Sequence, residues 1–272
     1  MNALERLFGV SGPIVAMLHF PALPGRPAHD RAGGLDGMVD SLGADLRLLQ
    51  EADVDGVLFC NEADLPYQLA VGPEIPATMA SCIGQLRSDI RVPFGVNILW
   101  DAIASLAVAR ATGARFVREV MTGVYESDLG MIEPRIGEIA GYRAAIGATD
   151  VLLFDNIQPE FASAIGKRSV ADRARGAAFL GMDAILISGP AAGIPFDPRH
   201  IEQAREAAPS TPIIANTGVT AERVGQILAI ADGVIVGTSL KVDGVTWNPV
   251  DGERAKRFMD AARSGRTARP GA

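Results

Sequence analysis

Short apolar runs alternate with longer amphipathic stretches along this chain, and the cycle repeats eight times. Each cycle holds a brief aliphatic, β-branched run, then a polar or glycine-rich junction, then apolar positions at helical spacing. The runs predict strands at Ile14–Leu18, Gly56–Phe59, Phe94–Ile98, Phe116–Val120, Val151–Phe154, Ala184–Ile187, Pro212–Ala215 and Gly233–Val236. Helices are predicted near Leu35–Ala52, Ile75–Ser88, Ala102–Ala111, Arg135–Ala145, Val170–Leu180, Pro198–Ala207, Thr220–Ile230 and Asp251–Ala262, with Pro198 at a favoured first position and Thr220 as an N-cap.

Eight β–α units without a long interruption point to an α/β protein whose parallel strands close into a (β/α)8 TIM barrel. The rival, an open doubly wound sheet, carries its glycine-rich turn after the first strand, whereas here the glycine turns follow the last ones. The 272 residues suffice for one such domain, read as 1–265, with 266–272 as a disordered tail. Aliphatic residues dominate the 48% hydrophobic content and aromatics supply only 6%, which suits strands covered on both faces.

A formal charge of −7 without a sustained basic run disfavours nucleic acid as a partner. Cys60 and Cys82 show neither metal nor disulfide spacing. Nothing at the start reads as a signal peptide, and no apolar run is long enough to span a bilayer, so a cytoplasmic protein is expected, with peripheral membrane association left open.

In a TIM barrel the chemistry sits at the C-terminal strand ends. The junctions Asn216–Thr220 (NTGVT) and Gly237–Lys241 (GTSLK) follow the last two strands, where such barrels often hold phosphate. Glycine admits an anion close to the backbone, and free amides then bind it. Asn216, Thr217, Gly218, Gly237, Thr238 and Ser239 are the candidate phosphate ligands, with Ser188 and Gly189 completing the cradle. The plainer alternative is that these glycines only make tight turns.

Lys241 is a candidate for pairing with the anion or for base chemistry. His19 and Asp155 end strands one and five and are the first candidates for acid–base work. In FVREV, side-chain alternation lets only one of Arg118 and Glu119 face the barrel interior, and Arg118 is assigned inward as a charge-neutralising residue. Glu62, Asp64 and Asn97 form a further acidic site. No ligand spacing indicates a metal and no cofactor is expected, although these carboxylates leave a divalent cation open. His29 and His200 are read as solvated. The sequence shows no nucleophile elbow, P-loop or dinucleotide fingerprint.

The chain resembles the BtpA family of photosystem I biogenesis and SgcQ-type proteins. The likeness runs from about Pro13 to Ala262, through IVAMLHFPALPG (Ile14–Gly25), NEADLP (Asn61–Pro66), PFGVNIL (Pro93–Leu99), ARFVREVMTGVYESDLGMI (Ala114–Ile132), TGVTAERV (Thr217–Val224) and DGVIVGTSLKVDGVTWNPVD (Asp232–Asp251). It departs from the family pattern in the order Asn61–Glu62 and in lacking a lysine–histidine pair after strand five, which suggests a divergent member. The resemblance implies a TIM-barrel fold. Two functions follow as expectations: an isomerase- or lyase-type enzyme for a small phosphorylated, sugar-phosphate-like substrate, or a non-catalytic factor for assembly of photosystem or membrane complexes. A homo-oligomer is compatible with either.

Overall fold

The computed structural model describes residues 1–267. In chain order its strands are β1 (Ile14–His19), β2 (Gly56–Cys60), β3 (Phe94–Asn97), β4 (Phe116–Glu119), the short β5 (Tyr125–Ser127) and β6 (Gly130–Ile132), β7 (Leu152–Gln158), the short β8 (Ala162–Ala164), β9 (Ala184–Ser188), β10 (Ile213–Asn216) and β11 (Gly233–Val236). The helices are α1 (Ala3–Phe8), α2 (Gly34–Glu51), α3 (Glu74–Leu86), α4 (Ala102–Thr112), α5 (Ile136–Ala145), α6 (Val170–Phe179), α7 (Pro198–Ala207), α8 (Val224–Ile230) and α9 (Gly252–Thr267). The eight longer strands form a closed parallel barrel, in which β1 pairs with both β2 and β11.

Closure follows from two buried faces. Ile14, Ala16 and Leu18 of β1 pack outward against the helical layer, as do Val57 and Phe59 of β2, while Val15, Met17, Leu58 and Cys60 fill the interior. The helices that follow the barrel strands pack on their outer face; in α2 the apolar stripe is Met38, Leu42, Leu46 and Leu49. Side-chain caps fix several starts: Asp101 accepts the Ala104 amide at α4, Ser169 and Asp172 form a capping box at α6, and Asp197 caps α7 ahead of Pro198.

Four features depart from the sequence reading. Helix α1 precedes β1 and plugs the N-terminal end of the barrel, with Leu4 buried and Phe8 edge-on to Phe116 at 5.7 Å, which itself stacks on Phe154 at 4.7 Å. Strands β5, β6 and β8 build a small antiparallel sheet on the loops after β4 and β7. Thr220 does not cap α8: that helix starts after Arg223, and Thr220 contributes its backbone carbonyl to the Arg223 and Val224 amides. The chain end also differs, because α9 continues past residue 265 and Arg266 pairs with Asp55 and donates to the Gly12 carbonyl at 3.0 Å. The rest of the expected tail, 268–272, lies outside the described residues.

Candidate functional site

Two residues up five of the barrel strands from the apolar interior layer, the inward positions become polar. Met17 gives way to His19, Phe116 to Arg118, Phe154 to Asn156, Leu186 to Ser188 and Ile214 to Asn216. Above them opens a cavity of about 350 Å³ lined by His19, Glu62, Arg118, Glu160 and Asn216, and by the turns after β10 and β11. That volume suits a small metabolite.

Arg118 organises the floor. Its Nη2 donates to both Glu160 oxygens, at 3.0 and 3.1 Å, and its Nη1 to Asn97 Oδ1 at 2.8 Å. Glu160 also accepts from Asn156 Nδ2 at 3.1 Å and Asn216 Nδ2 at 2.9 Å, and both amides reach Ser188 Oγ. Every strong acceptor site of Glu160 is therefore committed within the protein. Glu62 is differently placed. Among the described residues its carboxylate meets the Cys60 thiol at 3.7 Å and the Tyr67 hydroxyl at 3.4 Å, both long contacts, so it stays available to a ligand. Burial, and then the charge of Glu160, raise its pKa, with Arg118 opposing. Burial also pushes the Cys60 thiol well up, which leaves it a poor nucleophile. His19 is held neutral: burial first, then the Lys241 and Arg118 charges, lower its pKa to about 3, with a Thr246 backbone contact opposing.

The two glycine turns form the wall. Thr217, Gly218, Val219, Thr238 and Ser239 all line the cavity. The amides of Gly218, Val219, Thr238 and Ser239 find no acceptor among the described residues. Two cations from α9, Arg254 and Arg257, line the same region. The glycines themselves answer to packing. A Cβ on Gly189 would lie 1.9 Å from the Ile194 carbonyl, and one on Gly218 would lie 2.4 Å from Pro195 N, so both let the loop after β9 press onto the turn after β10. Thr217 holds φ +67°, an uncommon conformation for a β-branched residue, and its Oγ1 accepts the Gly189 amide at 2.7 Å.

The expected residues thus divide. His19, Arg118, Glu62, Asn216, Thr217, Gly218, Gly237, Thr238 and Ser239 come together around the cavity. Ser188 and Asn97 support the floor from within the hydrogen-bond network. Four others lie elsewhere. Lys241 is buried in an ion pair with Asp45 of α2 at 2.9 Å, Asp45 also accepting the Val250 amide at 2.8 Å; it fastens the last loop to α2 and does not line the cavity. Asp155 sits at the outward parity of β7, where it accepts from Met121 N at 2.8 Å and Thr122 Oγ1 at 2.6 Å; burial raises its pKa to about 6. Asp64 accepts from Leu23 N and Asn61 Nδ2 and ties the loop after β1 to that after β2. The Gly189 amide is taken by Thr217. Glu119 faces outward but reaches Asn97 Nδ2. The sequence reading missed Glu160, Arg254 and Arg257, and it placed Asn156 among the polar strand-end residues without choosing it for the site. Among the described residues no three His, Cys, Asp or Glu side chains gather as a metal site, and no helix is long and apolar enough to cross a membrane.

Fold and site define a TIM barrel with a polar, open C-terminal end and a plugged N-terminal one. The chain belongs to the BtpA family, whose model matches residues 10–264. It is 43% identical to the putative sgc region protein SgcQ of Escherichia coli, over 96% of this chain and 97% of that protein. It is 29% identical to the photosystem I biogenesis protein BtpA of Synechocystis, over 98% of this chain and 93% of that protein. Among solved structures it is similar to (S)-3-O-geranylgeranylglyceryl phosphate synthase from Thermoplasma acidophilum, determined with sn-glycerol-1-phosphate. That likeness has a TM-score of 0.62 at 12% identity and covers 97% of this chain and 99% of the other, so it speaks to fold alone.

Proposed function

We propose that this protein is an enzyme acting on a small phosphorylated substrate of the sugar-phosphate kind, by acid–base isomerase or lyase chemistry. The observation that carries this reading is a single cavity lined in two ways. One part of its lining offers backbone amides without an acceptor among the described residues and the Arg254 and Arg257 guanidiniums; another offers a weakly engaged carboxylate, Glu62, and a neutral imidazole, His19. Amides and guanidiniums suit phosphate, which fixes the substrate's position. Glu62, whose pKa burial raises above the ordinary carboxylate range and whose oxygens are weakly engaged, suits transfer of a proton to and from the bound molecule. Asp155 and Lys241, both committed to internal partners, act here as structure. The phosphorylated ligand of the synthase named above adds a precedent on the same fold.

Calorimetric and thermal-shift titration with inorganic phosphate and a sugar-phosphate panel tests the reading. Binding by phosphate, tightened in at least one sugar phosphate and weakened in Arg257→Ala, is expected. No binding by any of them at millimolar concentration overturns it and favours the assembly-factor role.

A further inference from the structure

Glu62 has no cation of its own. Its side chain is partly exposed and lines the cavity, and among the described residues no ion pair joins its carboxylate to a lysine, arginine or histidine. The nearby cations are already engaged. Arg118 donates to both oxygens of Glu160, Lys241 is paired with Asp45, and burial together with those two charges keeps His19 neutral. With Glu62 ionised, two carboxylates therefore share one guanidinium, and that guanidinium is bound to Glu160. After burial, the Glu160 charge is the largest influence on Glu62 and outweighs that of Arg118, so the ion pair as a whole opposes a second negative charge beside it. The Cys60 thiol and Tyr67 hydroxyl, the groups that do meet the carboxylate, bring no positive charge. Charged groups drawn out of water are as a rule paired, and beside a cavity the missing partner arrives with the ligand.

Resting on the phosphate-binding reading above, we infer that the substrate carries an amino group, bound as an ammonium against Glu62 while its phosphate lies on the glycine turns. This narrows the substrate class to phosphorylated amines, amino-sugar phosphates among them. A hydroxyl at that place would give Glu62 one hydrogen bond and leave its charge uncompensated; an ammonium brings three donors and the missing charge. A carboxylate there would add a third negative group to the two already present. A divalent cation would need more ligands than this corner offers, since among the described residues no three His, Cys, Asp or Glu side chains gather to hold one. Glu160 is the wrong carboxylate for the ammonium, being bound on both oxygens by Arg118, Asn156 and Asn216. The same contact gives proton transfer its first step. An N–H bond breaks with its electron pair left on nitrogen, an O–H bond forms on Glu62, and the amine lone pair is freed without any external reactant.

Calorimetry on the full-length protein at neutral pH compares ligands that differ only in an ammonium or a hydroxyl. The pairs are glucosamine 6-phosphate with glucose 6-phosphate, galactosamine 6-phosphate with galactose 6-phosphate, and O-phosphoethanolamine with 2-hydroxyethyl phosphate; inorganic phosphate is the reference. At least one amine is expected to bind about tenfold or more tighter than its alcohol, the size of a charge-assisted hydrogen bond. The preference should vanish in Glu62→Gln, which keeps the side chain's shape and removes its charge. If that variant does not fold, Glu62→Asp, which draws the carboxylate back by one methylene, should reduce the preference. When inorganic phosphate binds and no amine outbinds its alcohol, the inference is overturned, as it is by a preference that survives undiminished in the Glu62 variant. Failure of inorganic phosphate and of all the ligands overturns the underlying phosphate reading instead, so the two failures are distinguishable.

Discussion

At the N-terminal end of the barrel Phe8, Phe116 and Phe154 pack ring against ring under Leu4, whereas the same strands present Arg118 and Asn156 to an open cavity at the other end. The separation between the two is one side-chain repeat, about 7 Å along a strand. Within that step the interior passes from dry stacking, which holds the barrel closed, to a hydrogen-bonded network around one ion pair, which holds a site open. Stability and the proposed ligand binding are thus assigned to different residues of the same strands and should respond separately to substitution.

The sharpest break in that contrast is Phe116→Ala. It removes a fully buried ring from two aromatic contacts and is expected to lower stability by about 3–5 kcal/mol in denaturant melts. Phosphate binding by the remaining folded protein should hardly change; a loss under about 1 kcal/mol would mean that α1 is not a plug. Next, Lys241→Met strands the buried Asp45 carboxylate and should cost about 3 kcal/mol or more, largely recovered in Lys241→Met/Asp45→Asn. If it instead abolished phosphate binding at unchanged stability, Lys241 would belong to the site after all.

A pH test touches the boundary between the two regions. Burial raises the Glu119 pKa from its ordinary 4.5 to about 8. Between these values the native state holds a proton that the unfolded chain has released, so this group's contribution is full below about pH 4.5 and is lost as the pH climbs through 8. The slope reaches about 1.4 kcal/mol per pH unit for one proton. Denaturation across pH 5–8 should therefore show wild type falling relative to Glu119→Gln; parallel curves would refute it. The smallest effect is expected at the wall. Arg257→Ala should weaken phosphate binding by roughly tenfold while moving stability by no more than about 0.5 kcal/mol, and the reverse pattern would make Arg257 structural.

The barrel was legible because each of its eight strands is an apolar run bounded by turn residues, a signal that depends on local sequence alone. The small sheet was not, because three-residue strands such as Tyr125–Ser127 are too short to display alternation. Helix α1, six residues long, gave equally little periodicity. Alternation did place Arg118 inward and Glu119 outward. The same rule applied to Phe154, Asp155 and Asn156 would have chosen Asn156 over Asp155, which drew attention only by ending an apolar run. Glu160 lies in a loop past its strand, and Arg254 and Arg257 lie on the last helix. No spacing rule links them to the strand ends, and only the closed fold brings them there.

The pairing of β1 with β11 has a consequence for synthesis. Strand β1 emerges from the ribosome early, yet one of its edges waits for residues 233–236 before it is covered. Until then the nascent sheet is an open ribbon with two bare margins, each able to recruit a stray strand. Closure is sealed at the far end of the chain, where Arg266 grips Asp55, the residue that also accepts the Ile14 amide at 2.7 Å. Because β11 precedes α9, the helix that carries Arg266 fastens a barrel whose strands have already met.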